Sequence, residues 1–462
     1  MSRFDHDQSR RAFLKRSAAL GVAGVATPFV TSLAAIGEAA AATSTDYKAL
    51  VCIFLYGGND YANTLVPYDT ASHAAYATLR GALTLQRDAL AATALVPDVA
   101  LPGARAYALA PTMAPLLPLF DAGRLAVAMN LGTLVEPTTK AQYNARSVRL
   151  PPKLFSHNDQ QSFFQASNPE GATSGWGGRI GDLFMSGNGA STLTCINASG
   201  NAVYLTGKSA IQYSIGTGGP VPLIGNSQTV YGSATAAGTL RQLMTGQSAP
   251  MMAAEHARIS KRALDTYQQV TTALAGAPNS NFPLFPSGNG LADQLRMVAR
   301  LISVSATLGA RRQVFFVSMG GFDLHDNLAV QQPVLMGRVA AAMRAFHDTT
   351  VQLGVDDRVT SFTASDFGRT LSINGDGSDH GWGSHHLVMG GAVKGRKLYG
   401  TAPIVGAGTP DDVGQGRLIP TMSVDQYAAT LAGWFGVSGG EMGTVLPNIG
   451  NYNPSSTNIG FL

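Results

Sequence analysis

The 462-residue chain has only two cysteines, Cys52 and Cys195, far apart and without a Cys-x-x-Cys pair. That scarcity argues against a disulfide framework, a cysteine-based zinc site and an iron–sulfur cluster. Charge is scarce as well: 13% of residues are Asp, Glu, Lys or Arg, against a usual share of about 25%. With 45% of residues hydrophobic, neither a polyelectrolyte nor a disordered chain fits. The 32 basic residues exceed the 28 acidic ones by a formal net charge of +4, too little to point to a nucleic-acid partner. No dinucleotide-binding glycine fingerprint and no solenoid repeat is present, so a redox role ranks last among the functions considered. What is abundant is turn chemistry: 53 Gly and 23 Pro, without a Gly-X-Y period, belong to the loops of a globular protein.

The N-terminus reads as an address. Ser9-Arg10-Arg11-Ala12-Phe13-Leu14-Lys15 matches the twin-arginine export pattern, and the apolar stretch Ala18 to Ile36 follows. Gly21, Gly24, Thr27 and Pro28 make that stretch a poor membrane anchor, and Ala39 to Ala42 supply small residues for cleavage. The expectation is a signal over residues 1–42, a partnership with the twin-arginine translocase, no stable membrane span, and a periplasmic or secreted protein exported already folded. Folded export raises the expectation of a metal or another prosthetic group.

Residues 43–462 are expected to form one α/β domain with an insert of β-strands or loops at about 190–285. Four apolar runs predict buried strands: Leu50 to Tyr56, Leu125 to Leu131, Val314 to Met319 and Val359 to Thr363. Helical periods lie between them, as in Leu291, Leu295, Val298 and Ile302, in Leu335, Val339, Met343 and Phe346, and in Tyr427, Leu431 and Trp434. Ser423 and Gln426 predict a capping box that starts the last of these. Such alternation implies a mainly parallel central sheet flanked by helices on both faces. Between Ser191 and Val230, short β-prone runs broken by Gly, Asn and Ser predict an antiparallel insert or a set of long loops.

Ligands of parallel sheets bind outside the carboxyl ends of the strands, and three strands here run into an acid: Asp60, Asp323 and Asp366. Asp323 and His325 stand two apart, so an extended segment puts both on one side. The loop Asp379 to His386 adds His380, His385 and His386. Asp60, Asp323, His325, Asp366, His380 and His385 are therefore the candidate ligands. Their carboxylate–imidazole mixture suits a divalent transition metal, zinc or manganese, as one ion or two, better than calcium. Taken one at a time, each Asp reads equally as a turn or a helix cap, and His385 and His386 as neighbours in a strand that face opposite ways. Phe155-Ser156-His157-Asn158-Asp159 offers Ser156 as a nucleophile at a helix N-terminus, or, with Asp159, as a capping box. Gly175-Trp176-Gly177-Gly178-Arg179 offers Arg179 as an anion ligand or as a solvated turn residue.

Together LYGGNDYANTLVPY, FSHNDQQ, GWGGR, GGFDLHDN, SDFGRT, SDHGWGSHH and SVDQYAATLAGWFGV resemble the bacterial secreted family called domain-of-unknown-function 1501, of the alkaline phosphatase and sulfatase superfamily. The resemblance spans nearly the whole chain after the leader. It implies a central sheet with flanking helices and, in the superfamily's enzymes, two metal ions beside a Ser or Thr nucleophile. By that resemblance Asp60 would hold one ion and Asp323 with His325 the other. Asp366 resembles the acid of a Ser-Asp-His-Gly motif in which Phe367 stands in place of the His, leaving His380 either to supply that imidazole or to act as the distant final histidine. The expected function is a metal-dependent hydrolase of phosphate or sulfate esters acting on a small anionic ester. The alternative is a non-catalytic binding or surface-assembly protein on the same fold, partnered with another exported protein.

Overall fold

A computed structural model describes residues 47–247 and 250–462; the twin-arginine motif and its cleavage site lie outside the described residues. In chain order the strands are β1 (Lys48–Leu55), β2 (Leu65–Pro67), β3 (Tyr107–Leu109), β4 (Leu125–Gly132), β5 (Cys195–Asn197), β6 (Tyr213–Gly216), β7 (Gly219–Pro220), β8 (Arg312–Met319), β9 (Val359–Ser365), β10 (Arg369–Ile373), β11 (Ser378–His380), β12 (Ser384–Gly390), β13 (Leu398–Tyr399) and β14 (Met422–Ser423). The main helices are α1 (Thr70–Arg80), α2 (His157–Ala166), α3 (Trp176–Phe184), α4 (Ala234–Thr245), α5 (Met251–Ala275), α6 (Gly290–Ser303), α7 (Leu328–Gln352) and α8 (Val424–Phe435).

The four runs expected as strands are β1, β4, β8 and β9, and they sit in one sheet of order β13-β4-β12-β9-β1-β8-β5-β6-β7, with β14 beside β4. β1 pairs in parallel with β8 and with β9, so that Ile53 lies between Val317 and Thr363. Both faces are covered, which is why these strands carry continuous apolar runs instead of alternating with polar residues. Leu50, Cys52 and Phe54 of β1 enter a core with Trp176 of α3, Phe316 of β8, Phe362 of β9 and Tyr427, Leu431 and Phe435 of α8. Each such aromatic or aliphatic side chain, fully buried, contributes roughly 1.5–3 kcal/mol. The α6 face Leu291, Leu295, Val298 and Ile302 is buried as its period predicts, and the Ser423–Gln426 capping box starts α8. Cys52 and Cys195 are buried, unpaired thiols.

The sheet is mainly parallel, as expected, with β12 running antiparallel between β4 and β9. In the region 190–285 the first half is short strands and loops, with β6 antiparallel to β7; β5 pairs in parallel with β8 and β6 with β5, extending the main sheet, while α4 and α5 make the second half helical where strands or loops were expected. The Gly and Asn punctuation that suggested loops ends at Ser233, whose side chain caps α4 by accepting from the Ala236 amide. From there the chain is rich in Ala, Leu, Met, Arg and Gln, all good helix formers.

Candidate metal centre

β9, β1 and β8 lie side by side with the same direction, so the segments that leave their carboxyl ends meet. The β1 exit turns back at Gly57, whose φ of +115° favours glycine and whose missing Cβ leaves room for Asp323; a Cβ there would lie 2.3 Å from the Asp323 amide nitrogen. The Gly57 amide donates to Asp366 Oδ2 at 3.2 Å, tying the β1 and β9 exits together. The ribbon β10–β11 pairs Arg369 with His380 and carries that imidazole to the same place. The start of α2 brings His157.

Four side chains converge there. Asp323 Oδ1 is 3.1 Å from His325 Nε2 and 3.2 Å from His380 Nε2, and its Oδ2 is 3.4 Å from His157 Nε2. His325 Nε2 and His380 Nε2 are 2.9 Å apart, and the facing ligand atoms of His157, Asp323 and His380 all lie within 4.8 Å of one another. Ligands about 2.0–2.1 Å from a tetrahedral ion are themselves about 3.4 Å apart, so these separations suit a shared cation.

The outward nitrogens are all occupied. His157 Nδ1 is 2.7 Å from Asp366 Oδ2, His380 Nδ1 is 2.8 Å from the Phe155 carbonyl oxygen, and His325 Nδ1 is 3.4 Å from Asp379 Oδ1 and 3.5 Å from Asn374 Nδ2. A proton held on Nδ1 by a carbonyl or carboxylate leaves Nε2 as the lone-pair atom, the second-sphere arrangement that orients imidazoles on metals. The buried His157 Nε2 has no hydrogen-bond partner, an orphan that a cation beside Asp323 would satisfy. The donor set therefore fits a metal ion.

Electrostatics point the same way. Burial pushes the Asp323 carboxyl up, but Arg369 and then His157 and His325 outweigh it and hold the group below the usual carboxylate range. Asp366, almost wholly buried, is pushed up by that burial against the pull of His157. The hydrogen bond to Asp366 in turn raises His157, so this pair keeps a proton on the side away from Asp323. Burial lowers His380 and favours its neutral form. Asp323 and His325 remain 46% and 39% exposed, leaving a path from solvent.

The candidate ligands fare differently. Asp323, His325 and His380 come together, and Asp366 stands behind them as the partner of His157. Asp60 does not join them, a correction with a clear cause: its fully buried carboxylate pairs with the fully buried Arg80 and caps the turn Tyr61–Asn63 through the Ala62 amide at 3.3 Å. His385 is likewise corrected. It lies in β12 at 4% exposure, packs edge-on against Tyr61 and Tyr107, and accepts the Asn130 amide on Nδ1 at 3.0 Å. His386 points to the opposite core, beside Phe164 and Tyr427, and burial pushes both imidazoles down to about 3.

Arg179 is corrected as an anion ligand. It is 7% exposed and donates to the carbonyl oxygens of Val445, Ser174 and Ala166 at 2.7, 2.8 and 3.0 Å. Ser156 occupies the N-cap position of α2 without a side-chain capping bond; its hydroxyl donates instead to Asp159 Oδ2 at 2.9 Å. The capping box is therefore not formed, and among the described residues the Ser156 hydroxyl makes no hydrogen bond to the imidazole cluster.

Three contributors escaped sequence reasoning. His157 was overshadowed by its neighbour Ser156, although FSHNDQQ contained it. Arg369, fully buried, donates to Asp323 Oδ1 at 2.9 Å and to the Gly57 carbonyl at 2.9 Å, fixing the carboxylate from behind. Phe367 lies tilted against both rings, 4.8 Å from His157 and 4.7 Å from His380, so the ring at the position where the resemblance anticipates a histidine is a wall for two others.

Among solved structures the chain is similar to Ps i-CgsB in complex with k-i-k-neocarrahexaose, at 12% identity and a TM-score of 0.34 over 88% of this chain and 77% of the other. It is also similar to the soluble domain of lipooligosaccharide phosphoethanolamine transferase A from Neisseria meningitidis, at 10% identity and a TM-score of 0.33 over 89% and 92%. At that level the likeness assigns no chemistry. None of the curated proteins matches the sequence. The model of the family described as protein of unknown function (DUF1501) matches residues 47–447, and the chain belongs to that family.

Proposed function

We propose that this chain is an exported hydrolase of phosphate or sulfate monoesters that binds a divalent transition metal, zinc or manganese, through His157, His325, His380 and Asp323. The observation that carries the reading is the convergence of three Nε2 atoms on one carboxylate while every Nδ1 faces an oxygen outside the cluster. When bound, the ion supplies Lewis acidity to the ester oxygens. The protein's part is positioning. Asp366 orients His157, the Phe155 carbonyl orients His380, Arg369 holds Asp323, and Phe367 closes one side against water. Arg417 donates to the His380 carbonyl oxygen at 2.7 Å with its guanidinium over the Phe155 ring, placing a cation beside the cluster for an anionic ester. Ser156 is the proposed nucleophile, with Asp159 to accept its proton. Export through the twin-arginine translocase belongs to the same proposal and rests on Arg10 and Arg11.

A second reading is a binding or surface-assembly protein that retains the ion without turnover; what favours it is that the Ser156 hydroxyl is engaged by Asp159 and not by the cluster. Assay of metal-loaded protein on aryl phosphates, phosphodiesters and sulfates separates the two. Monoester turnover above a metal-stripped control, nearly abolished by Ser156→Ala, is the expected result. Turnover that survives Ser156→Ala removes the nucleophile assignment, and no turnover on any ester favours the binding protein.

A further inference from the structure

We propose that the projecting start of α5 docks this protein on the surface of an anionic lipid bilayer. Nine of the sixteen large hydrophobic side chains that are exposed among the described residues fall between Ile211 and Ile259, although this stretch is a small part of the chain. Met251 and Met252 are 82% and 80% exposed, and Ala253 is exposed too. Consecutive helical residues point about 100° apart, so three exposed in a row mean that the first turn of α5 stands out into solvent. The helix meets the body only from the next turn, where Ala257, Ser260 and Leu264 are buried.

Behind the two methionines come Arg258, Lys261 and Arg262. At 1.5 Å per residue, Arg258 lies about 9 Å and Arg262 about 15 Å along the axis from Met252. Apolar faces of interfacial helices sink about 5–10 Å into the boundary of headgroups and acyl chains, so methionines at that depth bring Arg258 and Lys261 to the level of the phosphates. A cleft of about 310 Å³, walled by Arg258, Lys261, Ala257 and Thr245 to Gln247, opens at the same level. Arg258 pairs with Glu255 and Lys261 with Asp265, but these are surface pairs, which contribute little and are readily exchanged.

The balance of charge selects the occupant. Across the paired helices α4 and α5, from Arg241 to Asp265, there are four Lys and Arg against the two acids Glu255 and Asp265. A surface with that excess repels a second copy of itself across a two-fold contact and attracts a layer of phosphates, each nearby cation contributing to the attraction. No helix of the described residues is long and apolar enough to cross a membrane, so the contact is peripheral.

Co-sedimentation of the full chain with vesicles of equal parts phosphatidylglycerol and phosphatidylcholine, against pure phosphatidylcholine, tests the proposal. All chains compared retain residues 1–46, so only differences between them count. The unaltered protein is expected to bind the mixed vesicles and leave the neutral ones. Met251→Asp with Met252→Asp should weaken that binding by about tenfold or more, and Arg258→Glu with Lys261→Glu by about fivefold for each cation. Thermal midpoints should not move, since all four side chains are exposed; if the Asp pair lowers the midpoint, Met251→Gln with Met252→Gln replaces it with the same expectation in direction. Equal binding by all the variants, or no binding of the unaltered protein to the mixed vesicles, overturns the proposal. So does a lipid-free dimer that these substitutions dissolve, which would identify the occupant as a second copy.

Discussion

His380 and His385 are close neighbours in the sequence and opposites in the structure. His380 ends the small ribbon β10–β11, half-buried, with its Nε2 turned toward an exposed carboxylate. His385 sits in β12, covered on both faces, where its Nδ1 accepts the Asn130 amide. The two acids at the ends of β1 and β8 repeat the contrast: Asp60 is sealed against Arg80, whereas Asp323 faces three imidazoles and solvent. The lesson is that residue type and spacing propose a ligand, but the covering of the backbone segment decides. A central strand sends alternate side chains into two dry cores, while a ribbon or loop beyond the carboxyl ends of the strands leaves one side wet and able to take an ion.

Breaking the dry half should cost the most. Asp60→Ala strands the Arg80 guanidinium in the core and should destabilise the protein by about 3–5 kcal/mol, measurable as a shift of the denaturation midpoint. Because Asp60 is outside the imidazole cluster, the stoichiometry of metal bound by the fraction that remains folded should not change; its loss would place Asp60 among the ligands after all.

Breaking the second sphere should cost less. Asp366→Asn keeps an oxygen near His157 but removes the charge that holds its Nδ1 proton, and metal affinity should fall about 10- to 100-fold with little change in fold, as read by competition with a chromophoric chelator. An unaltered affinity would mean that His157 does not ligate.

Acid sharpens the same contrast. His385 and His386 have folded values pushed down to about 3, below about 6.5 for an unfolded histidine, so the unfolded chain binds more protons between these values. Stability is complete above about pH 6.5 and declines as pH falls, each imidazole accounting for up to about 1.4 kcal/mol per pH unit. Denaturant titrations from pH 7 to pH 4 should show this slope and its reduction in His386→Leu. Imidazolium signals from either residue in the folded protein at pH 6 would contradict it.

How far the sequence reached follows from the same physics. The strands β1, β4, β8 and β9 and the helix α6 are written in runs and periods that local chemistry enforces, and Asp323 and Asp366 follow from their place just past strand ends. Asp323 and His325 are near neighbours whose convergence can be read locally. His157 could not be found that way, because its partner Asp366 is 209 residues distant, and nothing nearby separates a ligand from the neighbour of a cap. Arg179 was misread because Gly175, Gly177 and Gly178 suggest a loop. Those glycines instead let α3 press against Val203, Tyr204 and Thr206, where any Cβ would collide, and the arginine is buried with them. His385 depended on which strands would cover β12, a matter of tertiary arrangement alone.

Elemental analysis of the protein purified without chelator, beside Asp323→Asn and His385→Asn prepared in the same way, probes the imidazole cluster itself. The expected result is at least one zinc or manganese ion per chain in the unaltered protein, none retained by Asp323→Asn, and full retention by the folded fraction of His385→Asn. A metal-free unaltered protein that takes up no added zinc or manganese, or an ion that survives Asp323→Asn and disappears with His385→Asn, would contradict it.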